Sequence, residues 1–195
     1  WAMAGDLNNP DDREAFLQGT IERFGRLDIL VNNAGVAPRV RRDLLEVDEQ
    51  SWDFVLDTNL KANFFLTQRV AKLMMAQRPV DGARGFIINY GSLNSYVVAT
   101  DRVEYCASKA GIAMLTQVLA RRLAPEQIYV YEVRPGVIDT PMTSVSSAMR
   151  AATSSADRPW RRNRWSTHSR NCSGASPTES TTATSWPCSR TTAAR

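Results

Sequence analysis

Residues 89–125 read NYGSLNSYVVATDRVEYCASKAGIAMLTQVLARRLAP, and this stretch decides how the chain folds. Beyond Tyr105, apolar residues fall at helical spacing: Ala107, Ala110, Met114, Leu115, Val118, Leu119 and Leu123. The pattern predicts a helix over 105–124. Tyr105 and Lys109 then lie one turn apart on the same side. Ser92 stands thirteen positions before Tyr105, just past an apolar run that ends at Tyr90. A phenol, an ammonium and a hydroxyl converging at a strand's carboxyl end could do acid–base work on a carbonyl or an alcohol.

Outward from this stretch the same alternation repeats. FIINY (86–90) before it, IYVYEV (128–133) after it and LDILVNN (27–33) upstream are short, nearly continuous apolar runs rich in β-branched residues. Such runs are expected of parallel strands covered by helices on both faces. Between them, residues 51–78 (SWDFVLDTNLKANFFLTQRVAKLMMAQR) predict one long helix with Asn59 and Asn63 among its apolar positions. Nearer the start, Pro10, then Asp11, Asp12 and Glu14, open a helix that Gly25 ends. Residues 1–7 read as the end of a strand running into a loop at Asp6. Strand, helix, strand, helix, strand is the order of an α/β fold with a doubly wound parallel sheet. Ligands of such sheets sit at the carboxyl ends of the strands. Asp6, Asn33 to Gly35, Ser92 and Pro135 to Thr140 all follow strands, so they are expected along one edge.

The chain's 195 residues carry a net charge of +4, unevenly distributed. Residues 144–195 hold 12 Ser, 8 Thr and 8 Arg against two acids, with no Leu, Ile, Phe, Tyr or Lys. The rest holds the remaining 16 of 24 basic and 18 of 20 acidic residues, so the basic excess belongs to the tail. The expected division is a domain over 1–143 and a disordered Ser/Thr/Arg-rich tail over 144–195. A second reading gives the tail's Arg158, Trp160, Arg161, Arg162, Arg164 and Trp165 a nucleic-acid contact; the expectation adopted is no nucleic-acid partner. Three cysteines, Cys106, Cys172 and Cys188, make no disulfide framework, and a cytoplasmic setting is the default. No run of about 18 uncharged apolar residues occurs, so no membrane span is expected. The single histidine, His168, lies in the tail. Residues 1–143 therefore cannot build a Ser-His-Asp triad or a histidine-ligated metal site, and no metal is expected.

Each chemical feature has a plain reading beside the functional one. A Tyr/Lys pair at i and i+4 is common on helices. Ser92 after Gly91 could merely satisfy local backbone. Asn59 could be a packing amide, although a buried amide in a helix needs partners. Asn32-Asn33-Ala34-Gly35 and Pro135-Gly136 could be turns, with Gly35 leaving room for another backbone or a flat ligand. The physics of the pair is more specific. A phenol ordinarily ionises near pH 10, and service as a base near neutrality takes about 4 kcal/mol of preferential anion stabilisation. A neighbouring ammonium has the right sign, the more so where water is excluded.

Taken together, NNAG at 32–35, Asn59 in TNLKANFFLTQ, Ser92 in INYGS, YCASK at 105–109 and RPGVIDTPMT at 134–143 resemble the short-chain dehydrogenase/reductase family in order and spacing. Within that family the look is that of 3-oxoacyl-carrier-protein reductases. The resemblance implies a Rossmann-like sheet, NAD or NADP as cofactor, and interconversion of a ketone and a secondary alcohol, with a 3-oxoacyl thioester as one such substrate. It also implies roles. Tyr105 would be the general acid or base. Lys109 would lower the tyrosine's pKa and, with Tyr105, meet the nicotinamide ribose. Ser92 would fix the substrate oxygen, and Asn59 would anchor a water relaying protons to Lys109. Asp6 would bond the adenine; Asn32, Ala34 and Gly35 would pass by the adenosine ribose; Pro135, Gly136, Ile138 and Thr140 would meet the carboxamide. Members commonly pair through two long helices, here 51–78 and 103–124, so the full-length parent is expected to be a homo-oligomer.

Two departures qualify the resemblance. No G-x-G-x-x-G-like cluster occurs among the ten glycines. The sheet is therefore expected to be incomplete, without the family's first two strands, glycine-rich turn and last strand. The strand at 1–5 would then lack its neighbour, and the strand at 27–33 would have an open edge. After Thr143 the apolar periodicity stops, and an out-of-frame reading of the downstream gene is the expected origin. The rival to an active enzyme is a catalytically inactive remnant with weak or no cofactor binding.

Overall fold

The structure is a computed structural model, and it describes residues 1–136. Its first helix, α1 (Pro10–Phe24), starts where the sequence says it should. The Asn9 side chain accepts from the Asp11 N–H, Pro10 occupies the first turn, and Asp11 and Asp12 face the positive end. Gly25 takes φ 74°, a left-handed conformation that suits glycine, and its N–H closes on Ile21 O at 2.8 Å.

Three parallel strands follow, β1 (Ile29–Asn32), β2 (Gly85–Tyr90) and β3 (Ile128–Val133), in spatial order β1-β2-β3. The register sets Leu30 beside Ile87 and Asn32 beside Asn89, then Ile87 beside Val130 and Asn89 beside Glu132. That face packs under α1, α3 (Asn63–Ala76) and α4 (Val103–Leu123). Leu17, Leu66, Val70, Met74 and Leu123 close over Leu30, Ile87 and Ile128 to form the core. The connected parallel strands with helices between them are the α/β, Rossmann-like, incomplete sheet that the sequence predicts.

Four details differ from expectation. The strands are not covered on both faces within the described residues. The second face carries Ile29, Val31, Phe86, Tyr129, Tyr131 and Val133, all substantially exposed, with Phe86 and Tyr129 in ring contact at 5.8 Å. A nearly all-apolar strand looks the same whether one face or two are covered, so the sequence could not separate the cases.

Residues 1–5 form no strand. No described segment offers them a ladder, and Trp1 stacks on Phe16 of α1 at 5.8 Å instead. β1 is also shorter than 27–33. The Leu27 backbone is held by the Gln77 side chain, whose Oε1 accepts from Leu27 N–H and whose Nε2 donates to Leu27 O at 2.8 Å. Asn33 N–H turns back to Val31 O.

The long helix over 51–78 is three pieces: α2 (Glu49–Leu56), a π-helical turn (Asp57–Ala62) and α3. Asp48 caps the start by accepting from Ser51 N–H. The wider π turn carries Asn59, which is 1% exposed. Such turns recur at functional sites because they re-aim a side chain without ending the helix.

Candidate functional site

The site begins with α4. Tyr105 and Lys109 do share a side of this helix, and the Lys109 ammonium lies 5.7 Å from the Tyr105 ring centroid. Lys109 is buried and donates to Tyr90 O at 2.8 Å, where β2 ends. Burial pushes its pKa below the ordinary value, and the negative charge of Glu132 on β3 pulls it back up. Gly35 passes close by. A Cβ there would stand 3.3 Å from Asn59 Oδ1 and 3.6 Å from Lys109 Nζ. The glycine is thus needed first for these two side chains, rather than for a neighbouring backbone.

Asn59 makes a closed set of bonds. Its Oδ1 accepts from Val36 N–H at 2.7 Å, and its Nδ2 donates to Val36 O at 2.9 Å and to Ser108 Oγ at 3.1 Å. Ser108 in turn donates to Tyr105 O at 2.8 Å. The amide therefore pins the loop after β1 to α4, between the two proposed catalytic residues. Ser108 was not singled out from the sequence. Its position inside YCASK, three residues after Tyr105, was the available signal.

Ser92 stands at the exit of β2, where Gly91 N–H still pairs with Val133 O at 2.9 Å. It begins a short 3₁₀ turn, Leu93–Ser95, and its Oγ accepts from Asn94 N–H at 3.1 Å. That contact uses an acceptor lone pair and leaves the hydroxyl's proton free of it. Pro135 and Gly136 follow β3 after Arg134 and so leave the sheet at the same edge. Ile138, Thr140 and the 144–195 tail lie outside the described residues.

Two expected cofactor contacts sit apart from this cluster. Asp6 is exposed beside the start of α1, where its Oδ1 accepts from Asn8 N–H and its own N–H donates to Asp12 Oδ2 at 2.8 Å. The Asn32 side chain points inward. Its Nδ2 donates to Thr67 Oγ1 and to Asn89 Oδ1, both at 2.8 Å. Asn89 donates onward to Thr116 Oγ1, and Thr116 to Ile112 O. This buried relay crosses from α3 over β1 and β2 to α4, so Asn32 braces the sheet edge on which Gly35 rests.

Two buried carboxylates escaped the sequence reading. Glu104 accepts from Ser51 Oγ at 2.7 Å, tying α4 to α2, while its Oε2 finds no hydrogen-bond partner among the described residues. Glu132 accepts from Arg134 at 2.6 Å through Oε2, while its buried Oε1 also lacks one. A lone acid inside IYVYEV was a legible signal, since a strand core has little use for an unpaired carboxylate. Among the described residues no cluster of His, Cys, Asp or Glu could hold a metal ion.

Comparison with known proteins gives a consistent picture. The family model described as short chain dehydrogenase matches residues 1–151. The 3-oxoacyl-[acyl-carrier-protein] reductase FabG of Vibrio cholerae serotype O1 is 37% identical over 154 residues, covering 77% of this chain and 59% of that protein. The 2-dehydro-3-deoxy-D-gluconate 5-dehydrogenase of Escherichia coli K12 is 37% identical over 139 residues, covering 71% of this chain and 53% of that protein. A crystal structure of 3-oxoacyl-[acyl-carrier protein] reductase from Brucella melitensis in complex with NAD superposes with a TM-score of 0.72. It shares 38% identity over 77% of this chain and 59% of that one. The chain thus spans less than two thirds of the length of these relatives.

Proposed function

This chain belongs to the short-chain dehydrogenase family, and from that premise we propose that its site interconverts a ketone and a secondary alcohol with NAD or NADP. The observation that carries the reading is the placement of Tyr105 and Lys109 on one side of α4, with Lys109 anchored at the end of β2. A bound nicotinamide would supply or accept the hydride. The chain's own residues would handle the proton and the orientation.

Tyr105 is the group that gives the carbonyl oxygen its proton on reduction and removes it on oxidation. The positive charge of Lys109, in a position shut off from water, stabilises the phenolate that reduction leaves behind. Ser92 holds the substrate oxygen with its hydroxyl proton. Asn59 and Ser108 fix the α4 turn between Tyr105 and Lys109, and the second lone pair of Asn59 Oδ1 would anchor a water relaying protons to Lys109.

The donor set fits a dinucleotide at this edge. Lys109 has three N–H groups and spends one on Tyr90 O, which leaves donors for ribose hydroxyls. Gly35 keeps the neighbouring surface flat. Pro135, Gly136, Ile138 and Thr140 belong to the carboxamide side of the proposal, and Asp6, Asn32 and Ala34 to the adenosine side. The relatives named as 3-oxoacyl reductases make a 3-oxoacyl thioester the first substrate to try. A cytoplasmic setting and a second copy docked along α3 and α4, where Phe65, Met114 and Val118 are exposed, complete the reading. The 1–143 and 144–195 division is proposed with them.

A second reading, an inactive chain that binds dinucleotide poorly, is favoured by one feature: no G-x-G-x-x-G cluster occurs in this sequence to cradle a pyrophosphate. NADH and NADPH fluorescence with the 195-residue chain separates the two. Enhanced nucleotide fluorescence and turnover of a 3-oxoacyl thioester support the enzyme; neither effect supports the inactive chain. Tyr105→Phe should then cost about 100-fold or more in kcat with nucleotide binding retained. Near-normal turnover in that variant would remove Tyr105 from the role.

A further inference from the structure

We propose that Glu132 is a positioning residue for this site: its carboxylate, lodged against Gly91, holds the Lys109 side chain as an ammonium at the end of β2. Its place in turnover rests on the reading given above. Its physical content is a charge pair that can be measured without turnover.

The two side chains meet the same short segment from different elements. Lys109 reaches from α4 to the carbonyl of Tyr90. Glu132 reaches from β3 to the next residue, so that a Cβ on Gly91 would run into its Oε1. That position admits glycine because the carboxylate occupies the space a side chain would need. Oε1 is buried without a hydrogen-bond donor, while Oε2 is held by Arg134. A carboxylate oxygen in that position is costly unless a nearby positive charge offsets it. Lys109 is the buried cation that feels it.

The need is reciprocal. The acceptor that Lys109 uses is a neutral carbonyl, and burial alone favours the uncharged amine. An uncharged amine would give the neighbouring phenol no positive field. The groups around Lys109 are the Tyr105 ring on α4, the Tyr90 carbonyl of β2, the Asn59 amide from the π turn and Gly35 after β1. From β3 comes Glu132, with Arg134 bonded behind it. Among these, Glu132 is the carboxylate. Its position follows from the register, which sets it third in the row Asn32, Asn89, Glu132 on the helix-covered face.

The chain holds three lysines, Lys61, Lys72 and Lys109, of which the first two are exposed. Lysine-selective labelling with carbon-13 therefore gives three ε signals in the intact 195-residue chain, and Lys109→Met assigns the third. The expected result is that Glu132→Gln lowers the pH at which the Lys109 signal titrates by about one pH unit or more, with Lys61 and Lys72 unmoved. Arg134→Ala should move it the other way, since the carboxylate loses a competing cation. Gly91→Ala should displace the carboxylate and lower the Lys109 titration in the parent chain, yet add nothing beside Glu132→Gln. If Glu132→Gln does not fold, Arg134→Ala and Gly91→Ala probe the same charge pair with the carboxylate still present.

An unmoved Lys109 signal in the variants that fold overturns the charge pair, whatever the turnover. Where turnover is present, the alkaline limb of the kcat profile should move with the Lys109 signal, because the ammonium is lost as pH rises through that titration, and Glu132→Asp should restore both. A shifted signal with no turnover in any version overturns the oxidoreductase reading and leaves the pair standing.

Discussion

The two faces of the sheet depart from the usual arrangement. The face under α1, α3 and α4 carries the polar row Asn32, Asn89 and Glu132 beside Leu30, Ile87 and Val130. The other face, on which no described helix lies, shows Ile29, Val31, Phe86, Tyr129 and Tyr131. The covered face thus mixes core aliphatics with polar side chains, while the open face is aliphatic and aromatic. The two asparagines of this row are tolerable because Thr67 and Thr116 on the helices take up their amide N–H groups. The row is useful because it lies at the strands' carboxyl ends, beneath the loop that carries Gly35 and the peptide that binds Lys109. Polarity in these strands therefore marks the edge of the candidate site rather than contact with solvent.

The sharpest way to break that contrast is to truncate one apolar residue on each face. Ile87→Ala, fully buried in the centre of β2, should destabilise the chain by about 3 kcal/mol in urea unfolding. Val31→Ala on the open face should change it by less than about 1 kcal/mol. Equal losses would mean that both faces are packed.

A smaller effect is expected from the polar row. Asn89→Ala leaves Asn32 and Thr116 each short of a partner and should cost about 2 kcal/mol by the same measurement. An unchanged midpoint would show that the row is not needed for stability.

The smallest effect is a pH dependence. Lys109 has a folded-state pKa below its ordinary 10.5 because it is buried. Below the folded value the lysine is charged in both states, and folding bears the whole cost of burying that charge. Between the folded value and 10.5 the unfolded chain binds more protons, so stability rises with pH across that window. Lys109→Met, which lacks the charge, should melt higher than the parent near neutral pH, and the gap should narrow as pH approaches 10.5. A gap that is constant with pH would show that Lys109 carries no burial penalty.

Much of the site was legible. YCASK placed Tyr105 and Lys109 one turn apart because the period of the α-helix fixes that relation wherever the helix forms. The Asn9, Pro10 and Gly25 signals bounded α1 for equally local reasons. The π turn was not legible. Residues 57–62 keep a helical pattern of apolar and polar positions, and the extra width that aims Asn59 at Val36 and Ser108 comes from packing against α4. The inward turn of Asn32 and the pairing of its amide with Thr67 and Asn89, 35 and 57 residues away, were equally hidden.

Local chemistry, then, was settled by the order of residues: which segments are helices and strands, where caps fall, and that a phenol and an amine stand together beyond the second strand. Contacts distant along the chain were settled by the packed sheet alone. An apolar strand does not record which of its faces a helix will cover, and the sequence of β3 does not say that Glu132 will lodge against Gly91, next to the residue whose carbonyl holds Lys109. Register and the arrangement of helices above it bring those groups to one place. That is why the tyrosine could be read from the sequence while the carboxylate behind its lysine had to be found in the structure.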